Sequence, residues 1–231
     1  MVMTADRTYL PKLLEADLSA EADEIVIHHE DEYLIAAEKP SGLLAVPGRG
    51  VGKQDCLLTR VARAYPSARV VHRLDMGTSG LMLFALNPDT QRDLSFLFET
   101  RRVVKRYTAC VWGIPDPLKG EIDLPLIADW PRRPRQRVDS GMGKASHTKY
   151  RVIESAPDRS HSRVELIPLT GRSHQLRVHM AALGHPVLGD ELYADTSVQC
   201  MSPRLMLHAE RLSFEHPECL GELCLLSPVP F

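Results

Sequence analysis

The stretch RVVHRLDMGTSGLMLFALNPDTQRDLSFLFETRR, residues 69–102, holds three changes of pattern in succession. Arg69 to Val71 is short and extended in character. His72 to Ser79 is rich in turn formers and charge, and Gly80 to Leu86 is a continuous apolar run of strand length. Asn87 and Pro88 then supply a cap and a first-turn proline, and Leu94, Leu97, Phe98 and Arg101 continue at helical spacing. This reading predicts strand, charged turn, buried strand and helix, with the helix ending near Arg102.

The same reading extends to both sides. Toward the N-terminus, Glu24 to His29 and Tyr33 to Glu38 read as two short strands around an acidic turn, followed by a Gly/Pro-rich loop from Lys39 to Lys53. Asp55 to Tyr65 carries Leu57, Leu58, Val61, Ala62 and Tyr65 at helical spacing, with Asp55 as the expected N-cap and Pro66 as the stop. Toward the C-terminus, strands are expected at Val103 to Trp112, Lys144 to Glu154, Arg163 to Leu169, Arg204 to His208 and Arg211 to Phe214. A helix is expected from Ser173 to Leu183, closed by Gly184 and Pro186. Strands outnumber helices and several are close enough in sequence to pair as antiparallel neighbours. The expected class is therefore α+β, a mixed, mainly antiparallel central sheet flanked by helices. Nothing resembling a linker breaks residues 25–231, which predicts one domain there, preceded by an acidic extension over residues 1–24.

Composition excludes several classes. With 231 residues, 44% hydrophobic and 25% charged, the chain is an ordinary globular one rather than a disordered or fibrous one. No run of about 18 apolar residues exists, and the first nineteen residues are interrupted by Asp6, Arg7, Lys12, Glu15 and Asp17, so neither a membrane span nor a secretory signal is expected. A cytoplasmic protein is the default. Five cysteines, Cys56, Cys110, Cys200, Cys219 and Cys224, form no C-x-x-C pair, and are read as reduced, mostly buried thiols.

Net charge is −2, yet it is segregated: −8 over residues 1–38, +10 over 39–151 and −4 over 152–231. The densest basic stretch, Trp130-Pro131-Arg132-Arg133-Pro134-Arg135-Gln136-Arg137, is broken by proline and expected as an exposed loop. Such a loop is either a solvated face or an arm that contacts phosphates, since arginine forks bind phosphate bidentately.

Three apparent motifs fail. Gly48 to Lys53 lacks the first glycine and the Ser or Thr of a phosphate loop, and His72-Arg73-Leu74-Asp75 has no kinase context. His174 and His179, five apart, do not share a helix face as a metal pair would; they read as surface or hydrogen-bonded histidines. Three other clusters carry chemistry. In residues 72–80, HRLDMGTSG, Asp75 sits at a strand edge where backbone N–H groups and a cation can hold its carboxylate, although an Asp capping a turn reads the same way. In residues 169–179, LTGRSHQLRVH, two arginines and two histidines open a helix, which suits a polyanion, a partner for Asp75 or plain solvation. Lys105-Arg106-Tyr107 puts an aromatic beside two cations on a strand, although most such tyrosines simply pack across strands of a sheet.

In this order and spacing the three clusters resemble the RluA family of RNA pseudouridine synthases, together with Lys39-Pro40-Ser41-Gly42, Gly184-His185-Pro186, Gly189-Asp190 and Leu207-His208-Ala209. The resemblance spans roughly residues 25 to 217 and includes no S4-type RNA-binding domain. Leu124 to Ile127 and Asp129 to Pro134 are similar to the family's short members, which modify both 23S rRNA and the anticodon stem-loop of certain tRNAs; dual substrates are implied. The resemblance implies Asp75 as the catalytic aspartate, Arg177 as its salt-bridge partner, and Tyr107 as the aromatic against the flipped uracil and a candidate proton relay. It implies Arg73 as the side chain that takes the extruded base's place and Leu176 as a pocket wall. It further implies no cofactor and no metal, RNA as the partner, no membrane, and a monomer. Two other classes stay open: a non-catalytic RNA-binding module, and a glycosidase-like hydrolase with a second carboxylate near Asp75.

Overall fold

Seven consecutive buried residues, Ser79–Ala85 (β4), form the strand that the apolar run predicts, one residue earlier in the chain. A strand buried on both faces needs cover on both, and alternate side chains divide it. Leu81 and Leu83 pack with Leu34, Leu94 and Leu97 on one face, while Met82 and Phe84 pack with Ile35, Leu57 and Val61 on the other. The computed structural model describes residues 25–50 and 52–231; the expected extension over residues 1–24 lies outside them, as does Glu24 of the first expected strand.

Around β4 the mixed sheet assembles as expected. It holds Ile27–Glu30 (β1), Leu34–Lys39 (β2), Arg69–Val70 (β3), Val104–Trp112 (β5), Lys119–Asp123 (β6), His147–Ser155 (β9), His161–Pro168 (β10), Leu207–Glu215 (β11) and Glu222–Leu226 (β12). The order is β1-β2-β4-β11-β5-β10-β9-β6, with β12 also on β11 and β3 also on β4. Among the strands of the described residues only the β4–β11 pair is parallel. There Gly80, at φ +110°, lets the backbones approach: a Cβ on it would stand 2.3 Å from the Ala209 carbonyl oxygen. Leu126–Ala128 (β7) and Gln136–Val138 (β8) form a separate hairpin around the 3-10 turn Trp130–Arg132. The helices are Leu57–Ala64 (α1), Pro88–Glu99 (α2), Gln175–Ala182 (α3) and the short Thr196–Gln199 (α4).

Several expectations need correction. The strands foreseen at 204–208 and 211–214 are one strand, β11, whose register shifts between Ala209 and Arg211; the extra residue breaks the alternation and reads as a gap. α2 stops at Glu99 because Arg101 is left-handed at φ 63°, and α3 starts at Gln175 because His174 is left-handed at φ 55°. Cys56, not Asp55, caps α1; Asp55 instead takes two hydrogen bonds from Arg60, at 2.8 and 2.7 Å. β6, β7, β8 and β12 are short or half-exposed strands whose pattern is too weak to see in sequence. The cysteines are free, but only Cys56 and Cys110 are buried; Cys200, Cys219 and Cys224 are exposed. Among the described residues no helix is long and apolar enough to cross a membrane.

Candidate active site

Asp75 sits in the turn between β3 and β4, and this turn is held at both ends. At its start, Nε2 of His72 accepts a hydrogen bond from the Leu83 N–H at 3.0 Å while the ring stacks on Phe98 with centroids 4.4 Å apart. Burial, helped by the charge of Lys105, pushes the His72 pKa down to about 3, so the ring is neutral and can accept. At its end, the fully buried Lys39 donates to three carbonyl oxygens, of Pro40 at 2.8 Å, Leu43 at 2.7 Å and Met76 at 2.8 Å. Ser41 Oγ adds a bond to the Gly77 carbonyl at 2.7 Å, and the Gly42 N–H one to Met76 at 2.9 Å. The Lys-Pro-Ser-Gly segment therefore staples the residues after Asp75. Burial pushes Lys39 down to about 7 against the opposing pull of Asp75, while three acceptors for three N–H donors are the geometry of the ammonium form.

The carboxylate of Asp75 is approached on both oxygens, by a guanidinium and by an imidazole. Arg177 Nη1 lies 3.7 Å from Oδ2 and His174 Nε2 lies 3.9 Å from Oδ1. Arg177 thus stands beside Asp75, the partner that the resemblance implies, but its short contact is with another residue. Its Nε–H and Nη2–H donate to Asp190 at 2.7 and 2.6 Å, and Asp190 is fully buried. Oδ1 of Asp190 also accepts the N–H groups of Leu192 at 2.9 Å and Tyr193 at 3.1 Å. Gly189 makes room for this turn: at φ +72°, a Cβ there would meet the Arg204 carbonyl oxygen at 2.0 Å. Gly189-Asp190 enters the sequence reading only as part of the resemblance; in the fold its aspartate locks the arginine.

A cavity of about 680 Å³ opens over Asp75. Tyr107, Leu176, Arg177 and Arg73, all singled out from the sequence, line it. Tyr107 stands on β5 opposite Ala209 and Leu166. Burial first, and the charge of Asp75 second, push its phenol far above the ordinary range, so it is neutral with its proton in place. Leu176 is buried and shared with the core under α3. Arg73 is exposed at the rim, as are Arg101 and Arg172, and the half-buried Lys105 also lines the cavity. Burial and the nearby Arg101 lower the Lys105 pKa. Such a rim of cations suits phosphates. Glu99, the other acid of the lining, is exposed.

The site answers two sequence-level alternatives. Asp190 is the nearby second carboxylate that a hydrolase would need, yet both of its oxygens are engaged by Arg177 and it is sealed from water. The two histidines do not act together: His179 is buried against Thr148 Oγ1 at 2.9 Å and the Leu124 carbonyl at 3.0 Å, while His174 turns to Tyr193 at 2.7 Å.

The basic stretch is a folded hairpin rather than a free loop. Arg132 pairs with Asp129 and Arg137 with Asp139, both at 2.7 Å. Arg133 lies over the Trp130 ring at 4.0 Å and Arg135 over Tyr193 at 5.7 Å.

A mixed sheet that suspends a flanked carboxylate, an unionised phenol and an apolar wall beneath a rim of cations is built to do chemistry on a polyanion. The chain belongs to the RNA pseudouridylate synthase family, which matches residues 33–182. It is an isomerase that acts on RNA. It is 49% identical over 207 residues, 90% of this chain and 94% of the other, to the dual-specificity RNA pseudouridine synthase RluA of Escherichia coli K12. With the protein of the same name from Yersinia pestis it shares 48% over 84% of this chain and 94% of that one. Among solved structures, human RNA pseudouridylate synthase domain containing 1 superposes with a TM-score of 0.76 at 30% identity, covering 90% of this chain and 85% of the other.

Proposed function

We propose that the chain isomerises specific uridines in structured RNA, in 23S rRNA and in the anticodon stem-loop of tRNA: the resemblance of its motifs implies these two RNAs, and its relatives are named dual-specificity. Asp75 is its catalytic residue. The observation that carries this reading is Asp75 set between Arg177 and His174 at the floor of a pocket that also holds Tyr107.

The reaction leaves the formula of the nucleotide unchanged. The C1′–N1 bond breaks, uracil turns, C1′ bonds to C5, the C5 proton leaves and N1 gains one. The base must first leave its stack, which costs a few kcal/mol and less in a loop. Arg73 at the rim takes the vacated place, and Tyr107 and Leu176 receive the base between a π-face and an apolar wall. Asp75 then works at C1′ or C2′ as base, nucleophile or electrostatic partner of an oxocarbenium-like centre. Arg177, immobilised by Asp190, keeps the carboxylate in place throughout. The neutral phenol of Tyr107 is suited to relay the proton between C5 and N1. Residues 25–231 act as one catalytic unit, monomeric and cytoplasmic, without a cofactor or metal.

The test is pseudouridine mapping by carbodiimide-dependent reverse-transcription stops on 23S rRNA and tRNA transcripts, with wild-type protein and with Asp75→Asn. The amide preserves shape and removes charge. New stops in both RNAs for wild type, none for the variant, and equal RNA affinity for the two are expected. An active Asp75→Asn ends the assignment, and binding without any stops in wild type moves a non-catalytic RNA-binding module to first place.

A further inference from the structure

His174 is a backbone anomaly with an unexplained side chain. It occupies the N-cap of α3 in the left-handed region, φ 55° and ψ 15°, and makes no side-chain cap bond. Non-glycine residues seldom adopt this conformation, and such positions gather at functional sites. Its neighbour does the local structural work instead: Oε1 of Gln175 accepts from Thr170 Oγ1 at 2.7 Å and from the Arg172 N–H at 3.0 Å, while its Nε2 donates to the His147 carbonyl at 3.0 Å. The loop before α3 is thus held without the imidazole, which is free for another use.

The imidazole is oriented by a chain of hydrogen bonds with a fixed direction. The Gln136 N–H of the basic hairpin donates to Tyr193 Oη at 2.8 Å. Tyr193 Oη, having accepted that hydrogen bond, has its own hydroxyl proton to donate, and His174 Nδ1 lies 2.7 Å away. An Nδ1 that accepts leaves the one proton of a neutral imidazole on Nε2, and Nε2 is the nitrogen that faces Asp75 Oδ1 at 3.9 Å. The reverse tautomer would aim a lone pair at the carboxylate. Tyr193 is itself immobilised, by its N–H on Asp190 and by the guanidinium of Arg177, 5.1 Å from its ring centroid.

We propose that His174 is a positioning residue for the isomerisation: Tyr193, anchored on the basic hairpin, fixes the tautomer that points Nε2–H at Asp75, so the carboxylate is set from Oδ1 by His174 as it is from Oδ2 by Arg177. The proposal rests on the pseudouridine synthase reading and goes beyond it. At 3.7 and 3.9 Å both contacts are longer than hydrogen bonds, and contacts of this kind tighten when substrate fills the site. Burial lowers the His174 pKa, with Arg177 acting in the same sense and Asp75 and Asp190 against it. Arg135 also lies over the Tyr193 ring, 5.7 Å from its centroid.

The experiment is single-turnover pseudouridylation of a tRNA anticodon stem-loop by the full chain across pH 5 to 9, with binding measured separately. His174→Gln can place an amide N–H near the Nε2 position and is expected to keep most of the rate. His174→Asn reaches only the Nδ1 position; it is expected to bind RNA as wild type does and to lose about 10²-fold in rate, the scale of an ångström's misplacement. Tyr193→Phe keeps the ring and removes the hydroxyl that donates to Nδ1. His174 then protonates more readily, its imidazolium closes on Asp75, and the acid limb of the rate profile moves to higher pH. Equal rates for the Gln and Asn variants, or an unmoved limb in Tyr193→Phe, overturn the proposal while the functional reading stands. A wild-type protein that forms no pseudouridine overturns both.

Discussion

Asp75, Arg177 and Asp190 form a line of alternating charge in which the middle member has a close partner on one side only. Removing Asp190 leaves a buried guanidinium without compensation. Asp190→Ala is expected to cost about 3–5 kcal/mol of stability, the usual result of deleting one member of a buried pair, read as a lower urea midpoint with an unchanged slope. A loss under about 1 kcal/mol would show that Arg177 finds water or Asp75 instead. Tyr107 tests stacking separately from chemistry. Tyr107→Phe keeps the ring and is expected to bind RNA like wild type while losing turnover. Tyr107→Ala should also lose about 1–3 kcal/mol of binding, the worth of one stacked base. Equal binding by the two variants contradicts a stacking role. The motif residues of this site follow from the family resemblance that their order and spacing carry. Asp190, Lys39 and Tyr193 were not given roles, because spacing along the chain does not say which carboxylate an arginine will find across a turn.

Among the elements, the β7–β8 hairpin differs most from its sequence reading. Arg132 and Arg137 already have acidic partners, whereas Arg133 and Arg135 lie on aromatic rings. Cations held this way are pre-set for phosphate. If the hairpin touches RNA backbone, Arg133→Gln with Arg135→Gln should reduce the slope of log K against log salt by about 1–2, since each lost phosphate contact removes somewhat less than one counterion. Arg132→Gln with Arg137→Gln should change it less. An unchanged slope in the first pair returns the hairpin to a solvated face. Composition alone reveals the charge of this segment but not how it divides, because the pairing depends on the hairpin register that sets Ala128 opposite Gln136.

For the molecule as a whole, four histidines are held below their ordinary pKa. Burial is the first cause at each of His72, His174, His179 and His208. The unfolded chain binds protons at these rings near pH 6.5, whereas the folded one resists, at His72 down to about 3. Where the unfolded state holds more protons, stability rises with pH, so it is lost as pH falls through that window. The urea midpoint should therefore decline between about pH 7 and pH 5, before carboxylates such as Asp31 and Asp55 begin to titrate. A midpoint constant over that range would contradict it.

Local pattern determined the elements wherever both faces of a strand or one stripe of a helix is buried. The apolar run at β4, the Asn-Pro start of α2 and the Gly184-Pro186 end of α3 each declare themselves within a few residues, and so did the mixed sheet they imply. The family resemblance that the motifs carry implies Asp75, Arg73, Tyr107, Leu176 and Arg177 as site residues. Tertiary structure decided what no window of sequence contains: that β11 runs parallel to β4 at Gly80 and bulges after Ala209, that Lys39 closes the turn behind Asp75, and that Asp190 and Tyr193 hold Arg177 and His174 from behind. The reason is physical. Periodicity reports burial, which is local and repeated along the chain, whereas a buried charge takes its partner from whichever segment packing brings within about 3 Å.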